Sequence, residues 1–224
     1  MAGQAVAMRR ADWQFLLRRL HSLSGIVPIG GFLLFHFYEN ASARRGAEAF
    51  DETVVKISQM PYLFVLEWVA LLLPILFHGI YGVFISASAN PNLIRENRAR
   101  NWAYVAQRVS GIIALGYIFF HIATTRMWAL IVKGGEITYA DMAEKLSQPY
   151  QMAIYIIGIL AVTYHFGNGI WSFSITWGLV KTQAGQARLA KLSMAIFVVL
   201  AIVGIDILSA FILGESLLHR LTGI

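Results

Sequence analysis

Four histidines of this chain, His36, His78, His121 and His165, stand well inside long apolar stretches, where ionisable side chains are costly and by default functional. His36 and His121 are 85 residues apart and His78 and His165 are 87 apart, so each pair sits on helices that run the same way through a membrane, at matching depth. Neutral imidazole ligates haem iron well, and haem sites in helical bundles are built from side chains on facing helices. Two pairs therefore point to two sites. An iron held by two imidazoles has both axial positions filled, which favours electron transfer over oxygen chemistry. Relative to the middle of each stretch, His36 and His121 fall toward one side and His78 and His165 toward the centre or the other side, giving two levels about 10 Å apart. Gly82 and Gly169, each four residues past a histidine, lie on nearly the same helix face and leave room for a flat macrocycle. A single intramembrane histidine is as readily explained by a hydrogen bond to the next helix. Four in two depth-matched pairs, with no thiolate or carboxylate cluster beside them, are not.

The elements that must position these residues follow from composition. Of the 224 residues 58% are hydrophobic and 13% charged, against about 45–50% and about 25% in soluble domains. Five stretches reach the about 20 residues needed to span a bilayer as helix: Leu20 to Tyr38, Tyr62 to Ala89, Trp102 to Val132, Tyr150 to Val180 and Leu189 to Leu213. The expected fold is an all-α integral membrane protein of five transmembrane helices, with a four-helix core around two haems and one peripheral helix. The fifth stretch is the peripheral one because it has no histidine. The expected division is an N-terminal segment 1–19, a transmembrane domain 20–213 and a C-terminal tail 214–224. The connections Glu39 to Pro61 and Lys133 to Pro149 read as short polar segments. A weak repeat of a helix pair is visible: Ser24-Gly25 precedes His36 as Ser110-Gly111 precedes His121, and His78 with Gly82 matches His165 with Gly169.

Residues 1–19 carry Arg9, Arg10, Asp12, Arg18 and Arg19 without a separate apolar core and cleavage site, so the first span is expected to be retained. Cysteine is absent, which excludes disulfides, thiolate metal sites, iron–sulfur clusters held by this chain and thioether-linked haem. One side of the expected bundle collects Arg9, Arg10, Arg18, Arg19, Arg95, Arg98, Arg100, Arg108, Lys181, Arg188 and Lys191 against Asp12 and Glu96. By the positive-inside rule that side, with the N-terminus, is cytoplasmic and the C-terminus lies outside. The formal charge of +6 reflects this topology, not affinity for nucleic acid. A basic cytoplasmic face also suits docking of a soluble partner.

Further polar residues are candidates of a second order. Glu67 is 11 residues before His78, about 20° from the same face at about 100° per residue. It reads either as a proton donor or acceptor for quinone near the outer haem or as an interfacial acid bonded to backbone or arginine. Asp206 invites the same two readings. Arg19, Arg108 and Arg126 stand near span ends, where a guanidinium can grip a haem propionate or simply snorkel. Arg108 with Ser110 would serve the inner haem and Arg126 the outer one. His21, beside Arg18 and Arg19, is better placed for a propionate or quinone than for iron. His219 reads as a bland tail residue, and the six tryptophans as an aromatic belt.

With these residues assembled, the chain resembles the single-chain, two-haem cytochrome b anchors of succinate:quinone oxidoreductases and quinol:fumarate reductases. The resemblance covers roughly residues 12 to 213. It rests on RRLHSLSG (18–25), ARRGAEAF (43–50), FHGIYG (77–82), QRVSGI (107–112), FHIATTR (120–126) and HFGNGIWSFSITWG (165–178). It implies two b haems: an inner one on His78 and His165, and an outer one on His36 and His121. It further implies a flavoprotein with FAD and an iron–sulfur protein docked on the cytoplasmic face, membrane quinone as substrate (menaquinone is the expected type), and a bacterial cytoplasmic membrane location. Succinate would be oxidised on the flavoprotein, so this chain carries no dicarboxylate chemistry. Two other readings remain open: a two-haem anchor of a formate- or hydrogen-linked dehydrogenase, and a non-redox transporter using the histidines and Glu67 as a proton path. Physiological direction and oligomeric state are left open by the sequence.

Overall fold

A computed structural model describes residues 2–89 and 98–222, with side chains from residue 12 onward. Arg95 and Glu96 of the charge count, and residues 223–224 of the tail, lie outside the described residues. Among the described residues, five helical stretches are long and apolar enough to cross a membrane: Asp12–Arg45, Leu63–Ala87, Ala99–Lys133, Pro149–Thr176 and Gln183–Leu213. Helix is the form that lets an apolar segment satisfy its own backbone in hydrocarbon, and among the described residues there is no strand. The all-α, five-span expectation holds. The first span continues a helix that begins at Ala2.

The first three spans are not uniform α-helix. π turns occupy Gly25–Ile29 in the first, Leu66–Leu72 in the second, and Ala123–Met127 and Ala129–Lys133 in the third, whereas the fourth and fifth are continuous α-helix. Pro28 lies inside the first π turn. In an α-helix its ring would clash with the carbonyl four residues back, and the wider turn moves that carbonyl away.

The connections expected as plain polar segments are themselves folded. A 3-10 turn, Ala41–Arg45, leads to a helix at Ala47–Ser58, and a second helix, Tyr139–Ser147, precedes the fourth span. Gly46, at φ 99°, makes the corner between the turn and the first of these helices, in backbone space costly for a side chain. The second starts from a capping box in which Thr138 N donates to Asp141 Oδ2 (2.7 Å) and Asp141 N donates to Thr138 Oγ1 (3.3 Å). The two helices close one end of the bundle. Tyr139 N donates to Asp51 Oδ1 at 2.7 Å, and Phe50, Met142 and Leu146 form a buried core with Tyr155 of the fourth span and Phe211 of the fifth. Amphipathic turns spaced for this packing were present in the sequence, but polar composition masked them.

The fifth span packs along the fourth through small residues. A Cβ on Gly167 would stand 2.8 Å from Ser193 O, and one on Gly204 would stand 2.7 Å from Ile159 Cγ2, so both glycines set a close helix approach. Asp206, 3% exposed, ties this end together: its carboxylate pairs with Arg44 Nε at 2.9 Å and accepts from Leu218 N at 2.7 Å. Of its two expected readings, the structure places Asp206 in a latch for the C-terminal helix Leu217–Thr222.

Candidate functional site

The first four spans enclose a cavity of about 1390 Å³ lined by His21, His36, His78, His121 and His165. A pocket for one drug-sized ligand is about 300–1,000 Å³, so this one has room for more than a single group. No side chain of the fifth span is among its lining residues, which makes that span peripheral to the cavity.

Within it the histidines meet in the expected pairs. The ring centroids of His78 and His165 are 6.1 Å apart with planes at 86°, and those of His36 and His121 are 5.7 Å apart at 73°. Two imidazoles bound axially to one metal by bonds of about 2 Å have centroids about 6 Å apart. The spacing therefore fits bis-imidazole ligation in both pairs. Among the described residues no group of three or more His, Cys, Asp or Glu converges as a metal cluster would. Pairs of imidazoles across an apolar slot suit a haem instead.

The His78–His165 pair is held by matching devices. His78 Nδ1 lies 2.9 Å from His21 O and 3.3 Å from Ser24 Oγ, and His165 Nδ1 lies 2.9 Å from Gln107 O and 3.5 Å from Ser110 Oγ. A ring whose Nδ1–H donates to a carbonyl keeps its Nε2 lone pair free for a metal. Beneath each ring is a glycine. A Cβ on Gly25 would overlap the His78 ring, and one on Gly111 would stand 2.7 Å from His165 Cε1. Gly82 and Gly169, to which the sequence assigned space for a macrocycle, do line the cavity, but Gly25 and Gly111 are the pair that touch the rings. In the other pair His121 Nδ1 is 3.2 Å from Tyr155 OH. His36 has Asn40 Nδ2 at 3.3 Å from both ring nitrogens and Glu39 Oε2 at 3.7 Å. Gly25 and Gly111 precede His36 and His121 by 11 and 10 residues, so the two histidine levels are about 15 Å apart along the helices, wider than the expected about 10 Å. The difference arises because span centres are a poor guide where helix ends extend past the apolar stretch.

The second-order candidates are redistributed. His21 lies flat on His78, centroids 4.1 Å apart and planes 8° apart. Arg19 is not among the cavity-lining residues; its guanidinium lies 4.9 Å from the Phe15 ring and 4.7 Å from that of Trp177, while its neighbour Arg18 lines the cavity. Arg108 also lines it, donates to Tyr104 O at 2.9 Å, and has a buried Nε with no hydrogen-bond partner. Ser110 is behind His165, 7% exposed. Glu67 and Arg126, read separately from the sequence, form one unit: Arg126 Nη2 donates to Glu67 Oε2 at 3.0 Å, and Arg126 Nη1 to Glu136 Oε2 at 3.1 Å. Glu67 itself stands in the π turn Leu66–Leu72, so counting about 100° per residue from it to His78 does not relate their faces, although both line the cavity. His219 sits in the C-terminal helix.

Three functional partners escaped the sequence reading. Gln107 Nε2 lies 3.2 Å from His165 Nδ1 and donates to His165 O at 3.1 Å. Asn168 Nδ2 donates to Gln107 Oε1 at 2.7 Å and so fixes the Gln107 amide. Tyr155, beside His121, is the third. An amide inside an apolar stretch, three residues before the Ser-Gly step, was the available signal for Gln107.

A family model described as succinate dehydrogenase/fumarate reductase transmembrane subunit matches residues 88–205. The chain is 40% identical over 199 residues, 89% of its length and 98% of the relative's, to the succinate dehydrogenase cytochrome b558 subunit of Bacillus subtilis. It is 27% identical over 119 residues, 53% of its length and 88% of the relative's, to a succinate dehydrogenase hydrophobic membrane anchor subunit of Archaeoglobus fulgidus. On these matches and its five apolar helices, the chain belongs to the family of succinate dehydrogenase/fumarate reductase transmembrane subunits.

Proposed function

We propose that this chain binds two b haems, one on His78 and His165 and one on His36 and His121, and that it passes electrons between the docked dehydrogenase subunits and membrane quinone. The observation that carries this reading is the meeting of both sequence-matched histidine pairs across one cavity, at 6.1 and 5.7 Å. A haem held by either histidine pair would supply a one-electron redox centre without an open coordination position. The protein's part is orientation. The carbonyls of His21 and Gln107 turn Nε2 of His78 and His165 inward, and mostly apolar side chains line the cavity around them. Arg18 and Arg108, on the basic side of the bundle, supply guanidinium groups for propionates, with Arg18 taking the place expected for Arg19. Glu67, held by Arg126, which also donates to Glu136 at the helix-capped end, supplies a carboxylate where quinone chemistry needs proton transfer.

In the same reading the basic side is cytoplasmic and carries a flavoprotein and an iron–sulfur partner, the membrane is a bacterial cytoplasmic membrane, and menaquinone is the quinone. The test is a reduced-minus-oxidised spectrum with haem quantitation on the purified complex, repeated for His78→Ala and His121→Ala. Two b haems per chain are expected, with a different component lost in each variant. A chain that takes up no haem when haem is supplied refutes the reading.

A further inference from the structure

The first and third spans carry one pattern twice, and the copies differ in length by one residue. Ser24-Gly25-Ile26-Val27 matches Ser110-Gly111-Ile112-Ile113, and further on Gly31-Phe32 and Phe35-His36 match Gly116-Tyr117 and Phe120-His121. The offset is 86 residues at Ser24 and 85 at His36. One residue of the first copy, between Val27 and Gly31, therefore has no counterpart, and Pro28 stands in that interval. The structure supports equivalence on both sides of that point. Before it, Gly25 lies under the His78 ring as Gly111 lies under that of His165. After it, Phe32 packs on His36 at 5.3 Å as Tyr117 packs on His121 at 5.8 Å.

An extra residue in an α-helix rotates everything after it by about 100°, which would carry His36 off His121. The interval in the first span holds the π turn Gly25–Ile29, whereas the third span is α-helical through Ala99–Ile122. A π turn closes its hydrogen bonds one residue farther along than an α turn, so it takes in one residue without changing the face presented afterwards. Pro28, which an α-helix accepts poorly, stands within that turn and lines the cavity.

We propose that the Pro28 π turn is a register device: it absorbs a one-residue insertion so that Gly25, serving one histidine pair, and His36, belonging to the other, face the same cavity. The proposal rests on the two-haem reading. It is tested in the intact complex with four variants: deletion of Pro28, Pro28→Ala, insertion of one alanine between Val27 and Pro28, and His36→Ala. The readout is haem content together with the two resolved spectral components. Deleting Pro28 restores the α-helical spacing of the third span, so both components are expected at wild-type content, as they are for Pro28→Ala. The insertion is expected to lose the same component as His36→Ala and to keep the other. A Pro28 deletion that loses the His36 component, or fails to accumulate while the insertion accumulates, overturns the register device and leaves the ligand pairs standing. A His36→Ala variant that keeps both components overturns the ligand reading and the register device with it.

Discussion

Replacing Gly111 with alanine would put a methyl carbon 2.7 Å from His165 Cε1 and 3.0 Å from its Nδ1, inside van der Waals contact. The ring cannot retreat freely, because Nδ1 is anchored 2.9 Å from Gln107 O and the His78 ring stands against it with centroids 6.1 Å apart. Forcing a methyl into a packed site costs about 1–3 kcal/mol. If that cost falls on the ligated geometry, haem affinity at the His78–His165 site drops by about 5- to 150-fold. The control is Gly116→Ala, on the same helix, where an added Cβ meets nothing within 4 Å. Haem titration of the apo-complex, followed by the spectral component assigned through His78→Ala, measures the difference. Gly111→Ala is expected to weaken that component alone, while Gly116→Ala titrates as wild type. Equal behaviour of the two variants would refute the argument that Gly111 is a floor for the ligand ring.

Gln107→Leu removes the amide contacts to His165 while leaving the backbone carbonyl bond, so the haem should be retained with a shifted midpoint potential, read by redox titration; an unchanged potential would assign Gln107 to packing. Glu67→Gln breaks the charge pairing with Arg126 and is expected to lower quinone reductase turnover with both haem spectra unchanged. Turnover equal to wild type would remove Glu67 from the proton path. Burial opposes ionisation of Asp141, but bonds from Lys133 and Thr138 outweigh it and hold the carboxyl below its ordinary value of 3.8. Its capping-box stabilisation is thus full above that value and lost as pH falls through the lower folded-state value. Thermal melting of Asp141→Asn should therefore lose part of the wild type's acid sensitivity, and identical acid profiles would contradict this.

Sequence alone determined the five spans and the histidine pairing. Apolar length decides what can cross a bilayer, and an ionisable group in hydrocarbon is rare enough that its spacing carries meaning. The residues that hold the histidine rings were less legible. Gln107 and Tyr155 act on His165 and His121 from facing helices, and nothing local to either residue announces its partner. The Glu67–Arg126 pair joins residues 59 apart in the chain. The π turns were invisible to a count at fixed rotation, because whether a helix widens by one residue depends on which side chains it must bring against its neighbours. Only tertiary structure showed how His36 keeps its place opposite His121 across the extra residue, through the π turn Gly25–Ile29, since register is a relation between helices and each span alone satisfies its backbone equally well in either phase.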